Sequence, residues 1–238
     1  HAMSRRQRQM CIRDRYAATR YSQTDRVPEF LRTHPLSEKR IADTRARAMQ
    51  YPRRIRSVSL DYQLMRARVA VKAIRTPEEA VAMFRSALEG ESISDAATTY
   101  GLVLALTAAG RADEAALALD SIWSDDRNRI EYVIAGAEID LARGDAARAV
   151  STLERRLTLS PGNHPLTMSY ASALQQSGSP HLAEAVLLEQ SRLVTTDPGL
   201  WYLLAEVQGL AGNIVGLHRS RAEYFLSLIH ISEPTRQH

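Results

Sequence analysis

One cysteine, Cys11, occurs in 238 residues. A lone cysteine builds no disulfide framework, and it does not choose between an oxidising and a reducing compartment. Aromatic residues are scarce at 6%, against 45% hydrophobic and 24% charged residues, a balance that suits an α-helical chain large enough for a continuous core. No apolar run reaches the length needed to span a membrane. Nowhere does the two-residue alternation of a β-strand appear. The usual catalytic constellations are missing as well. There is no glycine-rich phosphate loop, no Gly-x-Ser-x-Gly and no His-Glu-x-x-His. Asp125, Asp126, Asp140 and Asp145 lack the spacing of an EF-hand and read as caps and solvated positions.

What the chain does have is a ladder. Gly110, Gly144, Gly178 and Gly212 stand 34 residues apart, and Ala115, Ala149 and Ala183 follow the first three by five residues; Leu217 takes that place after the fourth. With the glycine counted as position 15, position 8 is Val103, Ala137, Ala171 and Ala205, position 32 of the second repeat is Pro161, and position 4 of the fourth is Trp201. Pro198 comes three residues late in the third repeat. A glycine ends one helix in a left-handed turn, and a small residue in the next lets the pair approach closely. This period and pattern resemble tetratricopeptide (TPR) repeats. Upstream, Ala80, Phe84 and Ala87 match the second helix of an earlier repeat, opened by the capping box Thr76-Pro77-Glu78-Glu79.

The formal charge is +4. Residues 1–15 hold five arginines and one aspartate, which is that whole charge, while residues 226–238 hold one arginine and one glutamate, so residues 16–225 are formally neutral. The end segments resemble translated sequencing-adapter DNA, at Arg5 to Asp14 and at Leu226 to Arg236. The expectation is that 1–15 and 226–238 are adapter-derived scars on a fragment of a longer reading frame. With them goes the basic character that would argue for nucleic acid, so no nucleic-acid partner is expected.

In chain order, residues 16–57 read as polar and loop-like, with a helix over 38–50 capped by Ser37 and stopped by Pro52. A repeat domain is expected over 58–225. Helices 58–74 and 77–88 should pair, closed by Gly90. Then come the hairpins 95–109 with 112–123, 127–143 with 146–157, 165–177 with 181–194, and 200–211 with 214–225. The fold class expected is all-α: a TPR-type helical-hairpin solenoid.

The run Pro28-Glu29-Phe30-Leu31-Arg32-Thr33-His34-Pro35, followed by Arg40-Ile41-Ala42-Asp43, resembles the end of the peptidase domain in HExxH zinc metallopeptidases that carry a C-terminal TPR domain. Arg221-Ala222-Glu223-Tyr224-Phe225 resembles the same family, and the likeness covers about 16–225. The resemblance implies that 16–57 is the remnant of such a peptidase domain. The intact protein would then be a periplasmic zinc metalloendopeptidase serving outer-membrane protein assembly and quality control, with the TPR part binding substrate, protein partners or the assembly machinery. Zinc would belong to the intact parent. This chain carries neither the HExxH histidines nor its glutamate and should be inactive and hold no zinc tightly. His34 is then a possible fourth or regulatory zinc ligand; its other reading is a surface histidine before a proline. The alternative for the whole chain is a stand-alone TPR interaction scaffold.

First helices of TPR hairpins line the concave face, where extended peptides lie. Positions 5, 9 and 12 should point there, which nominates Tyr100, Ile134, Glu138, Met168, Gln175, Tyr202 and Glu206 for partner binding. The competing reading places Ile134 and Met168 in the core and leaves the rest as a solvated face. Paired lysines or arginines of the kind that clamp a terminal carboxylate are absent from these positions.

Overall fold

A computed structural model describes residues 37–49, 59–90, 94–123 and 128–232. The chain divides into two units, His1–Ser57 and Val58–His238. In the first, the described residues form one helix, α1 (Ser37–Met49), with Arg47 in its last turn. Favourable charge at the helix's negative end supports a segment with little apolar content.

The second unit is helical throughout its described residues. Its helices are α2 (Leu60–Ala73), α3 (Pro77–Glu89), α4 (Asp95–Ala108), α5 (Ala112–Trp123), α6 (Ile130–Ala142), α7 (Ala146–Leu159), α8 (His164–Gln176), α9 (Pro180–Leu193), α10 (Pro198–Leu210) and α11 (Ile214–Ser232). From α4 onward they run as antiparallel pairs, α4/α5, α6/α7, α8/α9 and α10/α11, each packed on the next. The first helices α4, α6, α8 and α10 also approach one another, so they share one face of the array. The expected hairpin solenoid is what forms.

The turn inside each pair is the same object four times. Gly110, Gly144, Gly178 and Gly212 have φ of 74°, 81°, 78° and 76°. The next residue's N–H reaches back across the turn: Arg111 to the Leu106 carbonyl, Asp145 to Asp140, Ser179 to Leu174, each at 2.9 Å, and Asn213 to Gln208 at 2.8 Å. These are Schellman turns, which satisfy carbonyls the helix end would leave open. A Cβ on any of the four glycines would meet nothing within 4 Å. Glycine is therefore required by the left-handed backbone alone.

Five residues on, Ala115, Ala149 and Ala183 are completely buried where the two helices of a pair press together. Leu217, the exception, has its own accommodation. A Cβ on Gly209 of the facing helix would lie 2.9 Å from Leu217 Cδ1, so the larger residue on one helix is matched by the smallest on the other. Interiors at crystal-like density require that kind of volume balance.

The core runs along the array in three successive patches. The first joins α2 to α6 around Leu64, Phe84, Tyr100, Val103 and Leu119. The second holds Val133, Leu153 and Leu166, and the third Leu174, Leu187, Leu204 and Val207. Each pair buries its apolar stripe against its neighbours, as a linear repeat array requires.

Caps set the helix starts. Thr76 Oγ1 accepts from the Glu79 N–H at 3.2 Å with Pro77 as the first helical residue, so one arm of the expected capping box is present. Asp197 accepts from the Gly199 N–H at 2.9 Å, which starts α10 at Pro198, two residues earlier than the sequence pattern suggests. Proline loses nothing there, because an N–H at that position has no helical partner.

Two expectations need correction. The pairing of 58–74 with 77–88 is not a hairpin like the others: α2 and α3 each pack closely on α4 and only slightly on each other. Gly90 itself makes no left-handed turn at the end of α3, since its φ is −98°. The last helix does not stop at Phe225 but runs to Ser232. No glycine or proline interrupts it over 217–232, and Ser227 is buried along it.

These turns predict a contrast between glycines. Gly144→Ala should lower unfolding stability by about 1–2 kcal/mol, read as a lower urea midpoint. Gly90→Ala should be neutral or stabilising by up to about 1 kcal/mol, because its backbone suits any residue and the nearest atom to an added Cβ, the Ser86 carbonyl oxygen, is 3.6 Å away. Equal losses at both sites would contradict this account of the ladder.

Candidate functional site

The face shared by the first helices contains two arrangements of tyrosine and glutamate, one closed and one open. The closed one lies toward the amino end. Tyr100, at position 5 of the first repeat, has no solvent exposure. Its hydroxyl accepts from Arg68 Nε at 2.9 Å, and the Arg68 guanidinium carbon sits 5.6 Å from its ring centroid. The same guanidinium forks onto Glu138, at position 9 of the second repeat, with contacts of 2.8 and 3.2 Å. Tyr132 flanks the site at 5.9 Å between ring centroids.

One arginine of α2 thus ties α4 and α6 together through a bidentate ion pair and a charged hydrogen bond, the stronger kinds of polar contact. Burial opposes the charge on Arg68, but Glu138 outweighs it and the guanidinium is held protonated beyond its ordinary range. Burial also drives the Tyr100 phenol upward, against the pull of Arg68, to a pKa of about 12.

The open arrangement lies in the fourth repeat. Tyr202 and Glu206, at positions 5 and 9 of one helix, are exposed, Tyr202 to 53%. The neighbouring Glu206 carboxylate raises the pKa of the Tyr202 phenol. Tyr224 stands edge-on to Tyr202 at 5.7 Å and Phe225 edge-on to Tyr224 at 5.3 Å. These side chains, with Leu217 and Arg221, line a cavity of about 290 Å³ between α10 and α11. Arg221 has no ion-pair or hydrogen-bond partner among the described residues.

The remaining expected residues divide. Ile134 is buried in the second core patch and Met168 is half-buried against the third. Tyr100 too is core, with a polar tip, and Glu138 is held by Arg68. Gln175 is half-buried. His34, with the segment that carries the peptidase resemblance up to residue 36, lies outside the described residues. Among the described residues no group of three or more His, Cys, Asp or Glu is placed to hold a metal ion. No described helix is long and apolar enough to cross a membrane.

Sequence reasoning missed Arg68. It stands on a helix read only for its leucines and valines, and separations of 32 and 70 residues carry no local signal. It also missed His164. Gln190 Nε2 donates to its Nδ1 at 3.2 Å, which leaves Nε2–H for Asp197 Oδ2 at 2.7 Å. That contact joins the starts of α8 and α10, 33 residues apart, and the period of the array is the one clue that could have found it.

This arrangement defines a TPR-type helical repeat protein with aromatic side chains exposed on its last hairpin. A thermophilic TPR protein of Thermus thermophilus has the same fold, with a TM-score of 0.54 and 19% identity over 72% of this chain and all of that one. No protein-family model matches the chain. In sequence, it is a distant relative of the β-barrel assembly-enhancing proteases. It is 29% identical over 195 residues to that of Escherichia coli (strain K12), covering 82% of this chain and 39% of the relative. It is 27% identical over 190 residues to that of Yersinia pestis, covering 78% of this chain and 38% of the relative. The chain therefore spans about two-fifths of the length of the curated relatives it matches.

The closed site makes a pH-dependent prediction. Tyr100 should titrate well above an ordinary tyrosine, at about 12 against 10.0. The unfolded chain ionises that phenol first, so its contribution to stability is complete below about pH 10 and is lost as pH rises toward 12. Tyr100→Phe should remove a step near pH 12 from the phenolate absorbance titration. At neutral pH it should cost about 1.5–3 kcal/mol by leaving Arg68 Nε without its acceptor, read from urea unfolding. A variant that unfolds like the parent at neutral pH would show that the contact is idle.

Proposed function

We propose that this chain is a protein-interaction module that holds an extended segment of a partner protein on the face formed by α4, α6, α8 and α10. The observation that carries this reading is the exposed aromatic cavity around Tyr202, Tyr224 and Phe225. Exposed tyrosine and phenylalanine beside a polar rim are the chemistry of binding hot spots, and solenoid arrays present such faces to extended partners.

A finer reading is supported by the similarity over 82% of the chain to the β-barrel assembly-enhancing proteases. On it, the chain is the carboxyl-terminal, substrate- or partner-holding part of a periplasmic zinc metalloendopeptidase that acts in outer-membrane protein assembly. The sequence holds no HExxH. The zinc ligands and general base would come from elsewhere in such a protein, and the work of these repeats is recruitment, not chemistry. His34 as a regulatory zinc ligand belongs to that reading.

Two measurements separate the levels. Fluorescence anisotropy with a panel of labelled random-sequence peptides tests the module. Tyr202→Ala should weaken the best binder by about tenfold or more while leaving the thermal midpoint unchanged, since Tyr202 is surface-exposed. Undiminished binding would remove the cavity from the interface. Sequence of the genomic locus upstream of Tyr16 tests the finer reading. An in-frame HExxH with a downstream glutamate supports the peptidase, and a start codon with a leader immediately upstream leaves the scaffold alone.

A further inference from the structure

The cavity on the last hairpin is the fourth copy of a seat that the array fills three times. One period back, its lining residues Tyr202, Ala205, Leu217, Arg221 and Phe225 correspond to Met168, Ala171, Ala183, Leu187 and Ser191. Ala171, Ala183 and Leu187 are completely buried, in one patch with Leu204 and Val207 of the incoming helix α10. In the second repeat Ala137, Ala149 and Leu153 share a patch with Leu166 and Ala173 of α8. In the first, Val103, Ala115 and Leu119 share one with Tyr132 and Ile139 of α6. Each incoming helix brings repeat positions 3, 7 and 10, a stripe at i, i+4 and i+7 such as Leu200, Leu204 and Val207. On the fourth copy Phe225 is 56% exposed and Tyr202 53%. We infer that the last hairpin is a docking seat for an amphipathic helix of the partner, with large apolar residues at i and i+7 and glycine or alanine at i+4. The inference rests on the interaction-module reading above and names the conformation that the partner takes at this end of the face.

The small central residue follows from Phe225. At the first junction the same repeat position is Trp123, and the helix above it brings Gly136. A Cβ on that glycine would lie 3.0 Å from Trp123 Cη2 and 3.7 Å from Leu119 Cδ2. At the third junction the position is Ser191, and the incoming helix brings Leu204, completely buried. At the second, Leu157 and Tyr170 stand at these positions, both large, and both stay half-buried. Bulk on one side is balanced by its lack on the other, as close packing requires. Phe225 is an aromatic ring like Trp123, and Leu217 stands where the other three repeats have alanine, so the fourth seat is crowded at its centre. Arg221 replaces Leu119, Leu153 and Leu187 there. Its charge does not close the seat, because its apolar stem packs while its head reaches water at the rim, and Glu206, of opposite sign, lines the same cavity. An extended segment puts residues i and i+2 on one face, which matches none of the three filled junctions.

The test titrates the whole chain against a fluorescein-labelled peptide of residues 129–143, the helix that Trp123 seats, and against its Gly136→Leu and Ala137→Pro forms. The parent peptide is expected to bind and to gain helicity in the mixture by circular dichroism. Ala137→Pro keeps the stripe but breaks the helix, and should weaken binding by about 100-fold. Gly136→Leu should weaken it by about tenfold, and Phe225→Ala in the chain should restore it. Arg221→Leu, which returns the seat to the leucine of the other repeats, should tighten the parent peptide several-fold. Phe225 and Arg221 are exposed, and circular dichroism melting confirms that each variant keeps its fold. Equal binding of the Ala137→Pro form, or Phe225→Ala weakening both the parent and the Gly136→Leu peptides alike, would overturn the helix seat. Loss of binding in Arg221→Leu would overturn it in favour of ionic recognition. Self-association of the chain alone in sedimentation, abolished by Phe225→Asp, would overturn it in favour of a second copy. Binding by the random panel but not by the helical peptide would remove the helix seat and leave the interaction module standing. Failure of both would remove both.

Discussion

The left-handed turn at Gly110, Gly144, Gly178 and Gly212 is the constraint on which the array depends. Each turn reverses the chain within a few residues and satisfies the open carbonyls of the helix it ends. The reversal lays the second helix against the first at the distance that Ala115, Ala149 and Ala183 permit, and those alanines are sealed completely. Because the turn recurs every 34 residues, each pair meets the next in nearly the same geometry, and the first helices gather on one face. Where the turn is absent, between α2 and α3, the pairing is lost as well, and both helices lean on α4 instead.

Across that common face, polar contacts fasten elements that apolar packing alone would let slide. Arg68 spans α2, α4 and α6, Arg143 of the second repeat reaches Asp113 of the first at 2.7 Å, and His164 links α8 to α10 through Asp197. At the last hairpin Ser220 donates to Gln208 at 2.7 Å, and Gln208 and Asn213 both donate to Glu184 of α9. The aromatic cavity forms between α10 and α11 just beside this network, so a rigid support holds Tyr202 and Tyr224 in place. Recognition sites carried on packed helices are held more precisely than sites on loops.

The distant likeness to the β-barrel assembly-enhancing proteases and the repeat fold bear on different questions. The fold accounts for a face shared by the first helices. The sequence likeness, which covers 39% of the Escherichia coli relative, bears on kinship and not on the geometry of that face.

The repeat length, the hairpin turns and most helix boundaries could be read from the amino acids, because each rests on neighbours within a few residues. Glycine is needed where φ is positive, a small residue where two helices press together, and threonine with proline where a helix starts. The boundaries that moved, at Pro198 and beyond Phe225, moved for local reasons too: an aspartate cap, and a run without a helix breaker. The face of each residue was another matter. Tyr100 and Tyr202 occupy the same repeat position, yet one is wholly buried and the other more than half exposed. Position in the repeat orients a side chain toward the common face, but what covers it there is a residue such as Arg68, on another helix and 32 positions away. The sequence alone determined that this chain would be an array of helical hairpins, through short-range backbone geometry. Only the tertiary structure decided which tyrosine became core and which stayed exposed, because burial depends on the helices that meet across the array.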